Sequence, residues 1–149
     1  MHIGIDFDNT LVDYDMLFYR CALDHNMIPS SVAPTKSAIR THLWGQPDGN
    51  TPWTELQGEV YGMRMQEAVP FPGSIEFLCF CRRQGIQASI VSHKAEYAAR
   101  GPQVNLRQAA VAWMAAHGVF AAERVGLKRS DVFFEQSREE KLRRISALA

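Results

Sequence analysis

Two aspartates separated by one residue follow the first apolar run of the chain. The segment reads HIGIDFDNT, so Asp6 and Asp8 stand where a β-prone strand gives way to turn residues. Burying a carboxylate costs free energy, so acidic residues at the end of a core strand need a compensating role. Such a pair suits a nucleophile, a general acid and base, and a cation together. The structural alternative is that one aspartate caps the following helix and the other is solvated.

The segments that follow alternate between strand and helix patterns. Strands are predicted at 2–6, 86–92 and 131–135. Helices are predicted at 11–26, from about 35 to 44, and at 51–68, 73–85, 104–118 and 136–149. In the helix at 51–68, Thr51 is predicted as the N-cap and Pro52 lies in the first turn. The segment VPFPG is predicted to be a linker. This alternation predicts an α/β fold with a parallel sheet, whose strands end together at one edge. Asp6–Asp8, Ser92–Lys94 and Glu135 should therefore converge.

Composition excludes several classes of protein. Lys plus Arg and Asp plus Glu both number 16 in 149 residues, so the formal net charge is zero, which argues against a nucleic-acid partner. No apolar run is long enough to span a membrane, and no secretory signal is visible. Three cysteines, Cys21, Cys79 and Cys81, do not form a disulfide or zinc pattern, which favours a reducing, cytoplasmic location, with Cys79 and Cys81 in packing roles.

The N-terminal segment resembles a known signature. A hydrophobic strand followed by Asp-x-Asp-x-Thr is motif I of the haloacid dehalogenase (HAD) superfamily, and Asp6, Asp8 and Thr10 occupy its positions. SIVSHK resembles motif II of that family, which makes Ser92 the phosphate-binding hydroxyl. The second aspartate is typical of the phosphatases within that superfamily, so the resemblance implies phosphoryl transfer.

VFFEQSREEKLRRI resembles the motif III region, in which a lysine near a helix start reaches the phosphate. Lys141 fits that position best, and Lys94 and Lys128 are rivals. His93 is a further candidate to line the site, although a loop histidine without a role is an equal interpretation.

The resemblance implies a Mg²⁺-dependent phosphatase acting on a small phosphorylated substrate. Asp6 would attack phosphorus and form an aspartyl-phosphate, while Asp8 would act as general acid and base. Lys141, Ser92 and the backbone N–H of Phe7 would stabilise the phosphoryl oxygens. In this family the metal is held by the first aspartate and by the backbone carbonyl of the second, here Asp6 and Asp8.

The resemblance also implies an architecture: a Rossmann-like parallel sheet formed by residues 1–13 and 71–149, with a small helical cap of the C1 type at 14–70. Polar and aromatic residues of the cap could line the site, with Arg40 or Arg64 reading a substrate anion, or could simply pack a helical bundle. These residues are Arg40, His42, Trp53, Gln57, Tyr61 and Arg64.

The chain departs from the family pattern at its end. Family members continue into a fourth strand that carries acidic metal ligands, motif IV, whereas this chain stops at ISALA, leaving Glu135 as a weak substitute. Without that strand, HIGID becomes an open sheet edge, and two chains could pair there as a homodimer. Truncation is the other explanation, and the sequence does not separate the two.

Three functions therefore stay open. The first is a HAD-like phosphatase, and the second is a catalytically impaired or silent relative with a binding role only. The third is a glycosyltransferase, since Asp-x-Asp also binds nucleotide-sugar metals, but only five residues precede Asp6, too few for the nucleotide-binding unit that usually comes first.

Overall fold

The computed structural model describes residues 1–148, which form an α/β fold with six α-helices and a three-stranded parallel sheet within that range. In chain order the elements are β1 (His2–Ile5), β2 (Val12–Asp13), α1 (Asp15–Asp24), α2 (Lys36–Trp44), α3 (Asn50–Tyr61), β3 (Val69–Pro70), α4 (Ser74–Arg83), β4 (Gln87–His93), α5 (Leu106–Ala116), β5 (Val132–Glu135) and α6 (Arg138–Leu148). Short 3-10 helices lie at Met65–Glu67 and Arg129–Asp131. Among the described helices, none is both long and apolar enough to span a bilayer.

The sheet is parallel, as the alternation of strands and helices predicts, and its strand order is β1-β4-β5. Ile5 lies opposite Ile90, which in turn lies opposite Val132, so the carboxyl ends of all three strands meet at one edge. Within the described chain β1 pairs only with β4 and is an edge strand, while the homodimer stays a prediction.

Helices α4 and α6 pack on this sheet, α4 against β4, and α6 against all three strands. Below the loop that follows β1, the fully buried ring of Phe7 meets Trp113 of α5 edge-on, with 5.6 Å between ring centroids. This contact anchors the loop that carries the two aspartates.

Residues between the first two strands of the sheet form a small bundle of α1, α2 and α3. Phe18 stacks on the buried Trp53, with 5.2 Å between ring centroids, in the centre of this bundle. The hydroxyl of Thr35 accepts the N–H of Ala38, so the predicted start of α2 is confirmed.

The chain divides into two compact units. The sheet unit comprises residues 1–13, 69–95 and from 110 to the end of the described chain, and the helical unit comprises residues 14–68 and 96–109. Residues 96–109 were predicted to belong to the α/β core, within 71–149. This segment instead packs on α3, where a Cβ at Gly58 would lie only 2.8 Å from the carbonyl oxygen of Arg100.

Several predicted element boundaries were wrong. The helix predicted from Leu11 begins only at Asp15, because Val12–Asp13 pairs antiparallel with Val69–Pro70, the segment interpreted as a linker. Thr51 does not cap α3, which begins one residue earlier with Gly49 at the N-cap, and α3 ends at Tyr61 rather than 68. The pairing of Val12–Asp13 with Val69–Pro70 joins residues nearly sixty positions apart in the sequence, and local sequence patterns do not reveal such contacts.

Candidate functional site

The loop after β1 holds Asp6 and Asp8 on either side of a buried residue. The carbonyl of Phe7 accepts the N–H groups of Leu11 and Val12, at 3.0 and 3.2 Å, which closes a tight turn. Asn9 takes a left-handed conformation there, with φ of 58°, and asparagine tolerates that region better than most residues. Because Phe7 is fixed in the core, both neighbouring carboxylates stay at the surface of the sheet edge.

Asp8 forms an ion pair with Lys94, which follows β4 directly. The ammonium lies 3.1 Å from each carboxylate oxygen, and the lysine side chain is only 3% exposed. The backbone N–H of Lys94 donates to the carbonyl of Glu135 at the end of β5, and its ammonium lies 5.6 Å from the centre of the Phe7 ring. A buried ammonium needs such a partner, so this pair is a fixed part of the site.

Asp6 forms a second ion pair, with Lys141 of α6, at 2.6 Å. The start of α6 is set by a capping box, in which the Ser137 hydroxyl accepts the N–H of Glu140 and the Glu140 carboxylate accepts the N–H of Ser137. This local signal, S-R-E-E, fixes the first turn of α6 and thereby the position of Lys141.

Ser92, on β4, supplies a third polar group. Its hydroxyl oxygen is buried and has no hydrogen-bond partner among the described residues. Side chains alternate along a strand, so Ser92 and Lys94 are on the same face of the chain. An unsatisfied buried hydroxyl is costly, so in the folded protein this oxygen needs a further hydrogen-bond partner, either an ordered water or a ligand.

The remaining candidates lie around this cluster with other partners. The N–H of Phe7 donates to the Asp6 carboxylate at 2.8 Å, and Thr10 is exposed beside it. His93 is exposed and its ring contacts the carbonyl of Gln136 at 2.9 Å. Lys128 lies before β5, at the opposite end of the sheet, where it lines a cavity together with His2 and Gln87.

Asp6 and Asp8 offer the hard oxygen ligands that Mg²⁺ prefers. Within residues 1–148, however, no group of three or more His, Cys, Asp or Glu side chains is arranged to hold a metal ion. Glu135, the weak substitute, is engaged by the guanidinium of Arg144 at 2.8 Å. The donor atoms therefore fit Mg²⁺ in kind, but each of the two aspartates is already in contact with an ammonium group.

A cavity of about 400 Å³ opens beside Asp6. Its walls are mostly apolar and include the exposed rings of Phe71 and Phe77, while Thr10 and Ser74 add hydroxyl groups. The Ser74 hydroxyl donates to the Leu11 carbonyl, so it is satisfied within the fold.

The cap candidates of the helical unit have partners of their own. Arg64 pairs with Asp24 at 2.7 Å and with Glu67 at 2.8 Å, and these carboxylates raise the pKa of the guanidinium while Arg64 lowers the pKa of Glu67. Arg40 lies over the ring of Trp44, 5.1 Å from its centre.

Two aromatic candidates are part of the bundle core or its edge. Trp53 is buried, and Tyr61 meets the rings of Tyr14 and Phe18 edge-on. The Tyr61 hydroxyl accepts a hydrogen bond from the ammonium of Lys36 at 2.7 Å. His42 contacts the side chain of Gln46, and Gln57 is partly exposed on α3.

Lys141 was predicted to fit the phosphate-binding position best, with Lys94 and Lys128 as rivals, and in the structure Lys141 pairs with Asp6 while Lys94 pairs with Asp8. The signal for Lys94 was present in its position two residues after Ser92, at the end of a central strand. What the sequence did not indicate is that Lys94 is buried, because that depends on the packing of the Phe7 loop against β4.

Comparison of the chain with protein-family models, with curated proteins and with solved structures found no match in any of the three.

Proposed function

We propose that this protein is a phosphoryl-transfer enzyme that hydrolyses a small phosphate monoester through an aspartyl-phosphate. The observation that carries the proposal is the cluster at the carboxyl ends of β1 and β4. There two carboxylates, Asp6 and Asp8, each contact a lysine, next to a strand whose Ser92 hydroxyl is buried without a hydrogen-bond partner among residues 1–148.

The residues fit the steps of such a reaction. Asp6 attacks phosphorus in line, the bond to the leaving oxygen breaks, and Asp8, as the general acid, passes to this oxygen a proton taken up from water. A water molecule then attacks the aspartyl-phosphate and gives a proton to Asp8. This releases inorganic phosphate and regenerates the carboxylate of Asp6.

Two lysines and one serine are proposed to stabilise the phosphoryl group itself. Lys141 and Lys94 bring positive charge to the oxygens of a dianionic phosphate, and the Ser92 hydroxyl gains a hydrogen-bond acceptor. Bound Mg²⁺, held by Asp6 and Asp8, would add further positive charge to the phosphoryl oxygens in the transition state.

Each of the two compact units has a proposed role in this reaction. The sheet unit is proposed to be a Rossmann-like core of the HAD type. Residues 14–68 of the helical unit, which lie in sequence between β2 and β3, are proposed to act as the cap that excludes water and selects the substrate. The apolar cavity beside Asp6 favours a leaving group with an apolar part.

The test is release of p-nitrophenol from p-nitrophenyl phosphate, with and without Mg²⁺. We expect Mg²⁺-dependent release by the wild type and a loss of at least a hundredfold in Asp6→Asn, which keeps the shape of the side chain but not its nucleophilic charge. Asp13→Asn is the matched control, because Asp13 lies in the same segment but outside the motif. Equal turnover by Asp6→Asn and the wild type would refute the nucleophile.

A silent binding protein is the second candidate, favoured by the ion pairs themselves. Both carboxylates are neutralised by lysines, and within the described chain no third acidic side chain completes a metal site. Binding of inorganic phosphate without any Asp6-dependent release of p-nitrophenol would support this candidate over the enzyme.

A further inference from the structure

We propose that the candidate site binds a divalent cation and a phosphate dianion cooperatively, each weakly alone and both tightly together, and that Lys94 is the residue that enforces this coupling. The inference rests on the proposed function, since it assumes that phosphate is the ligand of this site. It adds a property that the motif does not specify, namely the mutual dependence of the two ligands.

The charges of the cluster are balanced as the structure stands. Asp6 and Asp8 carry two negative charges, and Lys94 and Lys141 carry two positive charges, so the four side chains sum to zero. A divalent cation that enters alone adds two unbalanced positive charges next to two ammonium groups. A phosphate dianion that enters alone adds two negative charges next to two carboxylates, and only the two together restore neutrality.

Burial makes this balance rigid at Lys94. Its ammonium contacts both oxygens of Asp8 at 3.1 Å, and its side chain is 3% exposed, so it is held on Asp8 with little access to solvent. A cation that approaches Asp8 must therefore compete with a buried ammonium already in contact with both oxygens. The repulsion between the entering cation and this ammonium is screened much less at a buried site than at the protein surface.

A phosphate group relieves that competition. Its oxygens offer the ammonium of Lys94 a second set of acceptors. They also offer the buried Ser92 hydroxyl an acceptor, which it does not find within the described part of the chain. The ion pair between the Lys94 ammonium and the Asp8 carboxylate then weakens, and the carboxylate oxygens become available to a hard cation. Lys141 has the same relation to Asp6, but its side chain is more exposed, at 18%, so its effect on the coupling should be smaller.

The experiment is a calorimetric titration of the whole chain with Mg²⁺, with and without saturating inorganic phosphate, corrected by a blank titration of Mg²⁺ into phosphate buffer. We expect Mg²⁺ to bind at least tenfold more tightly when phosphate is present. The reverse titration must give the same factor for phosphate, because coupling between two ligands is reciprocal. Equal Mg²⁺ affinity with and without phosphate would overturn the inference.

A lysine variant tests the assigned cause. Lys94→Met keeps the length of the side chain, suits a buried position and removes the charge. We expect this variant to bind Mg²⁺ in the absence of phosphate at least tenfold more tightly than the wild type, with a smaller coupling factor. Lys128→Met is the matched control, because Lys128 lies at the other end of the sheet, and it should titrate like the wild type.

The outcomes separate this inference from the proposed function. Phosphate binding with unchanged Mg²⁺ affinity in Lys94→Met would refute the role of Lys94 but leave a phosphate site intact. Failure of phosphate to bind under every condition, in protein shown to be folded by its urea unfolding curve, would refute the proposed function and the inference together. Lys141→Met provides a second charge deletion that must move Mg²⁺ affinity in the same direction for the inference to stand.

Discussion

Replacing Asp8 by asparagine and Lys94 by methionine breaks the same ion pair, but the structure predicts very different losses of stability. Asp8→Asn takes away the carboxylate that contacts an ammonium group whose side chain is only 3% exposed. Removing one partner of a buried pair in this way costs about 3–5 kcal/mol. Lys94→Met instead leaves the carboxylate of Asp8, whose side chain is 21% exposed and keeps contact with water, so we expect a loss of about 1–2 kcal/mol.

Urea unfolding followed by tryptophan fluorescence measures this difference. Trp113 is fully buried and contacts Phe7, so the unit that holds the pair contributes to this signal, together with Trp44 and Trp53 of the helical unit. With a slope of about 2 kcal/mol per molar urea, Asp8→Asn should lower the unfolding midpoint by about 2 M and Lys94→Met by less than about 1 M. Equal losses, or a larger loss in Lys94→Met, would refute the view that burial of Lys94 dominates the energetics of the pair.

The more exposed pair provides the control for that experiment. The side chain of Asp6 is 40% exposed and that of Lys141 is 18% exposed. Ion pairs near the surface contribute about 0–1 kcal/mol, so Asp6→Asn and Lys141→Met should each change stability by about that amount. A loss in Asp6→Asn as large as that in Asp8→Asn would show that buried charge is not the cause.

Three further predictions concern other parts of the chain. Gly58→Ala should destabilise the protein by about 1–3 kcal/mol in the same urea assay, because the added methyl group would lie 2.8 Å from a backbone carbonyl oxygen. Arg64→Ala should leave KM for p-nitrophenyl phosphate unchanged but lower stability at neutral pH. Arg64 holds the pKa of Glu67 below its usual value of 4.5, so the stabilisation is present above that pH and should fade as acid protonates Glu67. A thiol-reactive disulfide reagent should modify the half-buried Cys79 before Cys21, since burial raises the pKa of Cys21 to about 11.

The order of strands and helices followed from local pattern. Apolar runs at 2–6, 86–92 and 131–135 became β1, β4 and β5, and their parallel order places Asp6, Ser92 and Lys94 near one sheet edge. The start of α2 near Thr35 was predicted in the same way. These features depend on residues within a few positions of one another, so the sequence alone is enough to predict them.

Tertiary structure decided what depends on distant residues. Pairing of Val12–Asp13 with Val69–Pro70, the packing of 96–109 on α3 and the burial of Lys94 all arise from contacts that local periodicity does not encode. The candidate site shows the same division. The sequence determined that two aspartates stand at a strand end, but the assignment of one lysine to each came only from the docking of α6 on the sheet and from the end of β4, because an ammonium pairs with whichever carboxylate the fold brings within reach.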